Sequence, residues 1–365
     1  MSGVGRSIPR DLVIEILSRL PVKSIARFRC VSKRWASTLY HPDFTDLFLK
    51  KSLARPRLFF VVKLRGKFVF FSTPLPLNPD QNSSSPLVAD LHMSFSTEDS
   101  YSGVTPPVCG WLCSKVKNPV MCNPSTGQFI TLPKVTLTGT VHTYLGYDPI
   151  NKLFKVLCVS EDGCRVLTFG NGDMSWRMID CPIPHSPLRN EICINGVLYY
   201  AAASTVEGMP PYLIVCFDVR FENFTFLVVN IKIWNSNLIN CNGKLGAVLP
   251  DSFFCFTRRS TSLQLWVLED VENQKWSKHS HVFPPLWRDI VGELNIVGMT
   301  GTGEFVFAPN AQLNPYIFFY NVVRNTVRRV RVQIQLGALA SKYGKIYTFV
   351  DHVQDVKLME APRSS

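Results

Sequence analysis

The segment IPRDLVIEILSRLPVKSIARFRCVSKRWASTL, residues 8–39, carries its apolar side chains at helical spacing. Pro9 suits the first position of a helix, and Pro21 predicts the end of that helix. Between the two prolines one broad apolar stripe is expected to face inward, with charged and hydroxyl side chains opposite. The stripe consists of Leu12, Val13, Ile16, Leu17 and Leu20.

Two further helices are expected in the same segment. The second runs from about Lys23 to Arg29. The third begins after Ser32, whose hydroxyl can cap it, and stops before Pro42. The residues PDFTDLFLKK, from Pro42 onward, suggest a fourth short helix. We therefore predict a small N-terminal unit of three short helices within residues 1–52.

Positive charge is concentrated in this part of the chain. The 365 residues have a net charge of +12. Residues 1–67 hold 15 Lys or Arg against 4 Asp or Glu, a net of +11, which leaves +1 for the rest of the chain. If the chain binds nucleic acid through its positive charge, the N-terminal unit is therefore the part expected to do so.

After the helical unit, the pattern changes to short runs rich in Val, Ile and Phe, broken by turn residues, as in strands joined by tight turns. In a recurring turn, Asn or Asp is followed six positions later by an apolar or aromatic residue. The turns are NPSTGQF from Asn123, DPINKLF from Asp148, the degenerate GNGDMSW at Asp173, DVRFENF from Asp218, DVENQKW from Asp270 and NVVRNTV from Asn321.

The turns at 123, 173, 218, 270 and 321 are separated by 50, 45, 52 and 51 residues. This period is near the length of a four-stranded propeller blade. We therefore predict an α+β multidomain chain in which the helices precede an all-β propeller of about six blades. A pair of β-sandwiches stays open as the alternative, although a near-fixed period favours the propeller. Hairpins with Gly turns lie between the others: ICINGVLYYAA, LINCNGKLGAV, MTGTGEFVFAP and SKYGKIYTFV.

The predicted domain limits follow from these patterns. Residues 53–107 are a connecting strand and a loop that includes STPLPLNPDQNSSSP, or a degenerate first blade. Residues 108–360 are the propeller, and 361–365 are a tail. Most of the tryptophans of the β-domain are expected in blade cores, among them Trp111, Trp234, Trp266 and Trp287.

The eleven cysteines are an odd number and are scattered through apolar runs such as LIVCFDV and FFCFT. This pattern favours buried thiols in a reducing compartment. The sequence has no secretory pattern and no apolar run near the ~20 residues of a membrane span. We expect the protein in the nucleus or cytoplasm, without a membrane partner, so the sequons at Asn82 and Asn223 are chance matches.

Motifs of catalysis or cofactor binding are not found. The sequence lacks GxSxG, HExxH, GxxxxGK and CxxC, and GTGEFV at 301 lacks the third glycine of a dinucleotide turn. His279 and His281 would lie on one face of a strand as a metal pair, but no third ligand is evident nearby. We expect no catalytic residue, cofactor or metal, and a propeller enzyme is kept as an alternative.

A DNA-binding module is the other alternative, because three short basic helices resemble a helix-turn-helix variant. The third helix, however, uses Trp35 and Leu39 for packing and offers only Lys33 and Arg34 near its start. With Arg27 and Arg29 these basic residues also fit a solvated face. Nucleic acid is therefore not an expected partner.

Three short helices cannot hide this many apolar side chains among themselves, so a contact surface must remain for the β-domain or another protein. Residues 8–39 closely resemble an F-box, in which Pro is followed by Asp-Leu, a hydrophobic pair, Leu-Pro, Arg-Phe-Arg-Cys-Val-Ser-Lys and Trp. The β-domain resembles the plant F-box associated domain, a kelch-like propeller, through MCNPSTGQFITLP and YLGYDPINKLFKVLCV. This second similarity spans most of residues 105–350.

The resemblance implies a substrate-recognition subunit without catalysis of its own. F-box helices pack against the Skp-type adaptor of a cullin-RING ubiquitin ligase, and the β-domain would recruit an unidentified target for ubiquitination. Flanking basic residues would steer the unit towards an acidic partner. The positions that match the family's shared core and adaptor face, not divided between these roles, are Pro9, Leu12, Ile16, Leu17, Leu20, Pro21, Ile25, Phe28, Val31 and Trp35.

Overall fold

The computed structural model shows a helical unit followed by an all-β domain, as predicted. It describes residues 8–64, 66–76, 85–96, 103–115, 118–170, 174–229, 233–251, 255–309, 315–336 and 345–359. The helices are α1 Arg10–Leu17, α2 Val22–Arg29, α3 Lys33–Tyr40, α4 Pro42–Leu53 and α5 Trp287–Ile290, with a 3-10 turn at Ile233–Asn235.

The strands are short and follow one another through the rest of the described chain. They are β1 Arg57–Leu64, β2 Lys67–Pro74, β3 Leu87–Val88, β4 Asp90–Ser96, β5 Leu112–Cys113, β6 Val120–Asn123, β7 Gln128–Thr131, β8 His142–Asp148, β9 Leu153–Ser160, β10 Gly163–Phe169, β11 Arg177–Ile179, β12 His185–Ile194, β13 Val197–Ser204, β14 Tyr212–Asp218, β15 Phe224–Val228, β16 Asn237–Cys241, β17 Lys244–Leu249, β18 Ser262–Asp270, β19 Lys275–Val282, β20 Asn295–Met299, β21 Glu304–Ala308, β22 Tyr316–Asn321, β23 Thr326–Gln333 and β24 Lys345–His352.

The N-terminal unit has four helices within the described residues, because the suggested fourth helix forms as α4. Helix α1 ends at Leu17 and not at Pro21, since proline disfavours helical backbone in the residue before it. The N–H groups of Arg19 and Leu20 instead close a tight turn onto carbonyls three residues earlier. The predicted cap is confirmed: Ser32 Oγ accepts a hydrogen bond of 3.2 Å from Trp35 N.

The described strands form six sheets, which confirms the propeller and rules out the pair of sandwiches. Blade 1 has the order β24-β1-β2-β4, and blade 2 has β5-β6-β7. Blades 3, 4 and 5 contain β8–β11, β12–β15 and β16–β19 in sequence order. Blade 6 contains β20–β23 and adds β3, which pairs parallel to β23.

The ring is closed by pairing between the two ends of the β-domain. Strand β24 pairs antiparallel with β1, with Phe60 opposite Thr348 and Val62 opposite Ile346. Residues 57–74 and 90–96 therefore belong to blade 1, whose first strand comes from the far end of the chain. Apolar clusters fill the junctions of all neighbouring blades in the described chain, and the junction of blades 1 and 6 holds Phe60, Val306 and Phe319.

In the five recurring turns that the structure describes, the side chain of the first Asn or Asp closes the turn. Asp218 Oδ1 accepts hydrogen bonds of 2.8 Å from both Arg220 N and Phe221 N. Asn123, Asp148, Asp270 and Asn321 accept backbone N–H groups in the same way. Four residues after each of them the backbone has positive φ, at the last position of a four-residue hairpin loop such as the one between the paired residues Asp148 and Leu153. These residues are Gly127, Lys152, Glu222, Gln274 and Asn325.

The two faces of the propeller differ in what they carry. The turn after β8 contacts α4 through Lys152 Nζ and Asp46 Oδ2, which are 2.6 Å apart. The turns after β12 and β16 lie on the same side, where Asn195 Nδ2 donates to Gly243 O at 3.2 Å. We call this side the helix face. Because the strands are antiparallel, the turns after β9, β13 and β17 and the connection after β11 lie on the opposite side, the open face.

Several sequence predictions fall outside the described residues: the turn at Asp173, residues 77–84 of the Pro/Ser-rich loop with Asn82, the turn at 341–344 and the tail. The tryptophan prediction can be compared with the structure. Trp111 and Trp287 are fully buried, whereas Trp234 and Trp266 are half-buried. All eleven cysteines are described, none of them is in a disulfide, and six are buried.

Candidate adaptor-binding surface

The helical unit has a small core of its own, and part of the predicted set belongs to it. Leu17 and Ile25 are buried there. Leu20, Phe28 and Trp35 pack against this core while half-buried, and the rings of Phe28 and Trp35 are 5.6 Å apart. These five side chains therefore hold the helices together. The rest of the core consists of Val22, Leu39, Phe44, Phe48 and Val356.

The other predicted residues are exposed. Leu12 and Ile16, one turn apart on α1, are each 55% exposed, and Val31 beyond α2 is 65% exposed. Pro9 and Pro21, which precede α1 and α2, are also exposed. Sequence reasoning did not include Ile8, which is 61% exposed and precedes Leu12 by the same four-residue spacing. We call Ile8, Leu12 and Ile16 the α1 patch.

The charges of the unit leave this surface basic. Glu15 pairs with Lys51 Nζ at 2.5 Å and with Arg19 Nη2 at 2.7 Å. These two bonds hold the pKa of the Glu15 carboxyl below its ordinary value. Its charge is thereby matched within the unit, while further cations remain exposed. The exposed basic residues of α1–α3 and their turns are Arg10, Arg19, Lys23, Arg27, Lys33 and Arg34.

Residues 353–359, which follow β24, attach the helical unit to the propeller, and we call them the strap. Val356 of the strap is buried in the core of the helices. Its carbonyl accepts a hydrogen bond of 2.6 Å from Arg29 Nη2, which also donates to Leu39 O at 3.1 Å. Gln354 N donates to Ser52 Oγ at 2.6 Å. The strap therefore completes the helical unit from the opposite end of the chain.

Arg29 was read from the sequence as part of a solvated face, and this is wrong. Its guanidinium lies 4.5 Å from the centroid of the Tyr40 ring, and burial lowers the pKa of Arg29. Nothing local in the sequence distinguishes Arg29 from Arg27, because its main partner lies more than 300 residues away. The one exception is helical position, because Arg29 follows the buried Ile25 by four residues and Arg27 does not.

The other side of the strap binds blade 2. Asn123 Nδ2 donates to Asp355 O at 3.0 Å, and Trp111 Nε1 approaches Asp355 Oδ2 at 3.4 Å. Further along, Met359 N donates to Gln128 Oε1 at 3.0 Å. Asp355 is buried, and burial raises the pKa of its carboxyl to about 6. The strap is therefore held between the helices and the hairpin of β6 and β7.

The two histidines of the HSH motif lie on β19 with parallel rings whose centroids are 6.5 Å apart. His279 Nε2 contacts Ser277 Oγ at 3.0 Å. In the part of the chain that the structure describes, no group of three or more His, Cys, Asp and Glu side chains is arranged to hold a metal ion. The same part contains no helix long and apolar enough to cross a membrane.

A basic helical unit with exposed apolar side chains, fixed to a six-bladed propeller, is the architecture of a substrate-recognition protein. Two family models match the chain: the F-box domain over residues 6–47 and the F-box associated beta propeller domain over residues 57–353. The chain therefore belongs to the family of F-box proteins with an F-box associated β-propeller domain, as its sequence indicated.

The relatives agree with this assignment. The F-box protein DOR of Arabidopsis thaliana is 46% identical over 378 residues, covering 96% of this chain and 94% of the relative. The F-box protein At5g65850 of Arabidopsis thaliana is 42% identical over 366 residues, covering 96% of this chain and 90% of the relative. Among solved structures, TolB from Acinetobacter baumannii gives a TM-score of 0.47 at 10% identity, covering 88% of this chain and 73% of TolB.

Proposed function

We propose that the helical unit binds a Skp-type adaptor of a cullin-RING ubiquitin ligase, and that the propeller recruits a protein target for ubiquitination. The observation that carries the first part is the α1 patch. The helical unit already has a buried core completed by Val356, yet Leu12 and Ile16 remain more than half exposed at positions matching the F-box motif.

The physical basis is burial of apolar surface. Each Å² of apolar surface removed from water contributes about 25 cal/mol, so three aliphatic side chains at the centre of an interface supply a substantial part of its affinity. The exposed cations around them favour an acidic partner and raise the rate of association. The half-buried Leu20, Phe28 and Trp35 position the patch and do not form its exposed centre.

Recruitment of a target is supported by the architecture alone. The helix face carries the helical unit, which leaves the open face and its loops for a second protein. Holding target and ligase together raises the effective concentration of target lysines near the ubiquitin-carrying enzyme. In this scheme the chain is a non-catalytic subunit. Its localisation to the nucleus or cytoplasm stays a prediction.

Leu12→Asp combined with Ile16→Asp tests the adaptor contact. Because both side chains are exposed, the variant should keep its fold and lose binding to a purified Skp-type adaptor at least tenfold, as measured by titration calorimetry. Val282→Asp combined with Val323→Asp is the matched control, since it places two carboxylates at exposed apolar positions of the propeller. Unchanged adaptor binding by the α1 variant would refute the proposal.

The same variant is a better probe than Leu20→Asp with Pro21→Ala, which we also expect to abolish adaptor binding. Leu20 packs against the helical core, so that substitution disturbs folding and contact together. Full-length wild type and the α1 variant, purified from cells with proteasomal degradation blocked, should share target proteins and differ in ligase components. A set of proteins lost together in the variant would argue against separate target recruitment by the propeller.

A further inference from the structure

Two thiols lie beside a histidine at the junction of blades 3 and 4, near the open face. Cys164 is the second residue of β10 and is buried, and Cys181 lies two residues beyond β11 and is half-buried. Cys164 is opposite Ile179 in the ladder, so Cys181 is its diagonal neighbour on the same side. Both side chains belong to or pack against the same apolar cluster.

The histidine comes from the neighbouring blade. Cys181 Sγ lies 3.8 Å from His185 Nδ1 and 3.4 Å from Ile183 O. The ring of His185 is fixed at both nitrogens, with Nδ1 2.8 Å from Ile183 O and Nε2 2.8 Å from Tyr200 Oη. Because a carbonyl oxygen only accepts, Nδ1 carries the hydrogen and donates it to Ile183 O, and the sulfur of Cys181 lies 3.8 Å from the same nitrogen.

This environment separates Cys181 from the buried cysteines of the propeller. The neighbouring Cys164 thiol and, to a smaller extent, His185 lower the pKa of Cys181 despite its partial burial. Burial instead raises the pKa of Cys122 and Cys158 to about 12. Reactive cysteines combine thiolate character with access, and Cys181 has both.

We propose that Cys181 and Cys164 form a peroxide-sensitive thiol pair, with Cys181 as the sulfur that is attacked and Cys164 as the resolving thiol. Hydrogen peroxide is the oxidant. The Cys181 thiolate attacks one peroxide oxygen, an S–O bond forms, the O–O bond breaks, and hydroxide leaves. Cys164 then attacks the sulfur of the sulfenic acid, an S–S bond replaces the S–O bond, and the oxygen leaves as water with the thiol proton.

Closure of the disulfide requires a short movement, which the location of Cys181 allows. Diagonal neighbours in a ladder have Cα atoms about 7–8 Å apart, slightly beyond the about 4.4–6.8 Å of a disulfide. Cys164 is fixed within β10, whereas Cys181 lies in the irregular connection between β11 and β12. That connection can approach β10 without breaking a strand pair.

Peptide mapping of the full chain after peroxide treatment tests this proposal. Trypsin places the two cysteines on different peptides, because Arg165 and Arg177 lie between them. A glutamate-specific protease, which cleaves after Glu161, then separates Cys158 from Cys164. We expect a disulfide-linked pair of peptides with Cys164 and Cys181 in most molecules, reversed by dithiothreitol. Cys30, which is exposed, controls for general oxidation.

Two variants identify the roles of the sulfurs. Cys181→Ser should abolish the cross-link, whereas Cys164→Ser should leave a Cys181 sulfenic acid that dimedone captures. If Cys164→Ser does not fold, the wild-type peptide map decides. Oxidation of Cys30 while Cys181 stays reduced, or a cross-link of Cys181 to a different cysteine, would overturn the proposal.

Discussion

The propeller and the helical unit differ in how their hydrophobic cores are completed. Each blade junction of the described propeller is filled from both sides, and β24 pairs with β1 to close the ring. The helical unit has one small core, takes Val356 from the strap to complete it, and leaves the α1 patch exposed. The comparison teaches that the propeller is self-sufficient, whereas the helices depend on contacts outside their own segment.

Ending the chain after residue 344 should destabilise the propeller. This truncation removes β24 and exposes Phe59, Phe60 and Val62 of β1, which are buried in the intact ring. We expect loss of cooperative thermal unfolding and aggregation of the product, as measured by calorimetry and light scattering. Ending the chain after Met359 is the control, because it keeps every described contact. A truncated chain that still unfolds cooperatively would show that closure by β24 is dispensable.

Asp355→Asn should sharpen the comparison by strengthening the attachment of the strap. The pKa of Asp355 is raised to about 6 by burial, from an ordinary value of 3.8. A carboxyl whose pKa is raised by folding costs no stability at pH values below its pKa in the unfolded chain. The loss of folding stability then grows as the pH rises towards the pKa in the folded protein. Above pH 6 this ionisation costs the wild-type protein on the order of 3 kcal/mol of folding stability. The variant avoids the cost, but its gain is smaller than this because the contact with Trp111 changes.

The measurement is hydrogen exchange of the helices in wild type and Asp355→Asn between pH 4 and 8, corrected for intrinsic exchange rates. The gain in amide protection of the helices, variant over wild type, should increase from pH 4 to about 6 and then stay level. Using the difference between the two proteins cancels the other groups that titrate in this range, such as Asp351. A gain that is independent of pH would mean that folding does not shift the pKa of Asp355, and a gain that keeps growing up to pH 8 would mean that the carboxyl stays protonated in the folded protein.

Val356→Ala should weaken the helical unit and spare the propeller. Removing two methyl groups from a buried position costs about 1–3 kcal/mol. Amide protection in α1–α4 should fall accordingly, while protection in β8–β23 stays the same. Val350→Ala, on β24 and half-buried against the junction of blades 1 and 6, is the matched control and should give the reverse pattern. Equal loss in both regions would mean that the two units unfold together.

Ser32→Ala is expected to have the smallest effect. The substitution removes the bond from Trp35 N to Ser32 Oγ, worth about 1 kcal/mol at a helix N-cap. Protection of α3 should drop while α4 changes little, and Ser32→Asp should restore it. No change in α3 would show that packing of Leu39 alone holds this helix.

Local signals made the periodic parts of this fold predictable. Ser32 caps α3, and the side chains of Asp218 and its counterparts close the hairpins that set the blade period. Contacts between distant residues were not predictable. The pairing of β24 with β1 and the burial of Val356 join segments about 300 residues apart, and no local pattern marks either partner.

The predicted adaptor-binding set stays a prediction, and the structure divides its members by exposure. The sequence places Leu12, Leu17 and Trp35 in one set because all three match positions of the F-box motif. The structure separates them by exposure: Leu12 faces solvent, Leu17 is buried, and Trp35 lies between. Such a division depends on how α1 and α2 rotate against α3 and α4, which is decided by packing and not by composition.

The strap also has a consequence for the order of events during synthesis. The helices leave the ribosome first, but Val356, which completes their core, leaves it more than 300 residues later. Domains generally fold as units during synthesis, the N-terminal one first, but this helical unit lacks one of its core residues until Val356 has emerged. A product that ends before residue 356 would therefore present the helices without that residue.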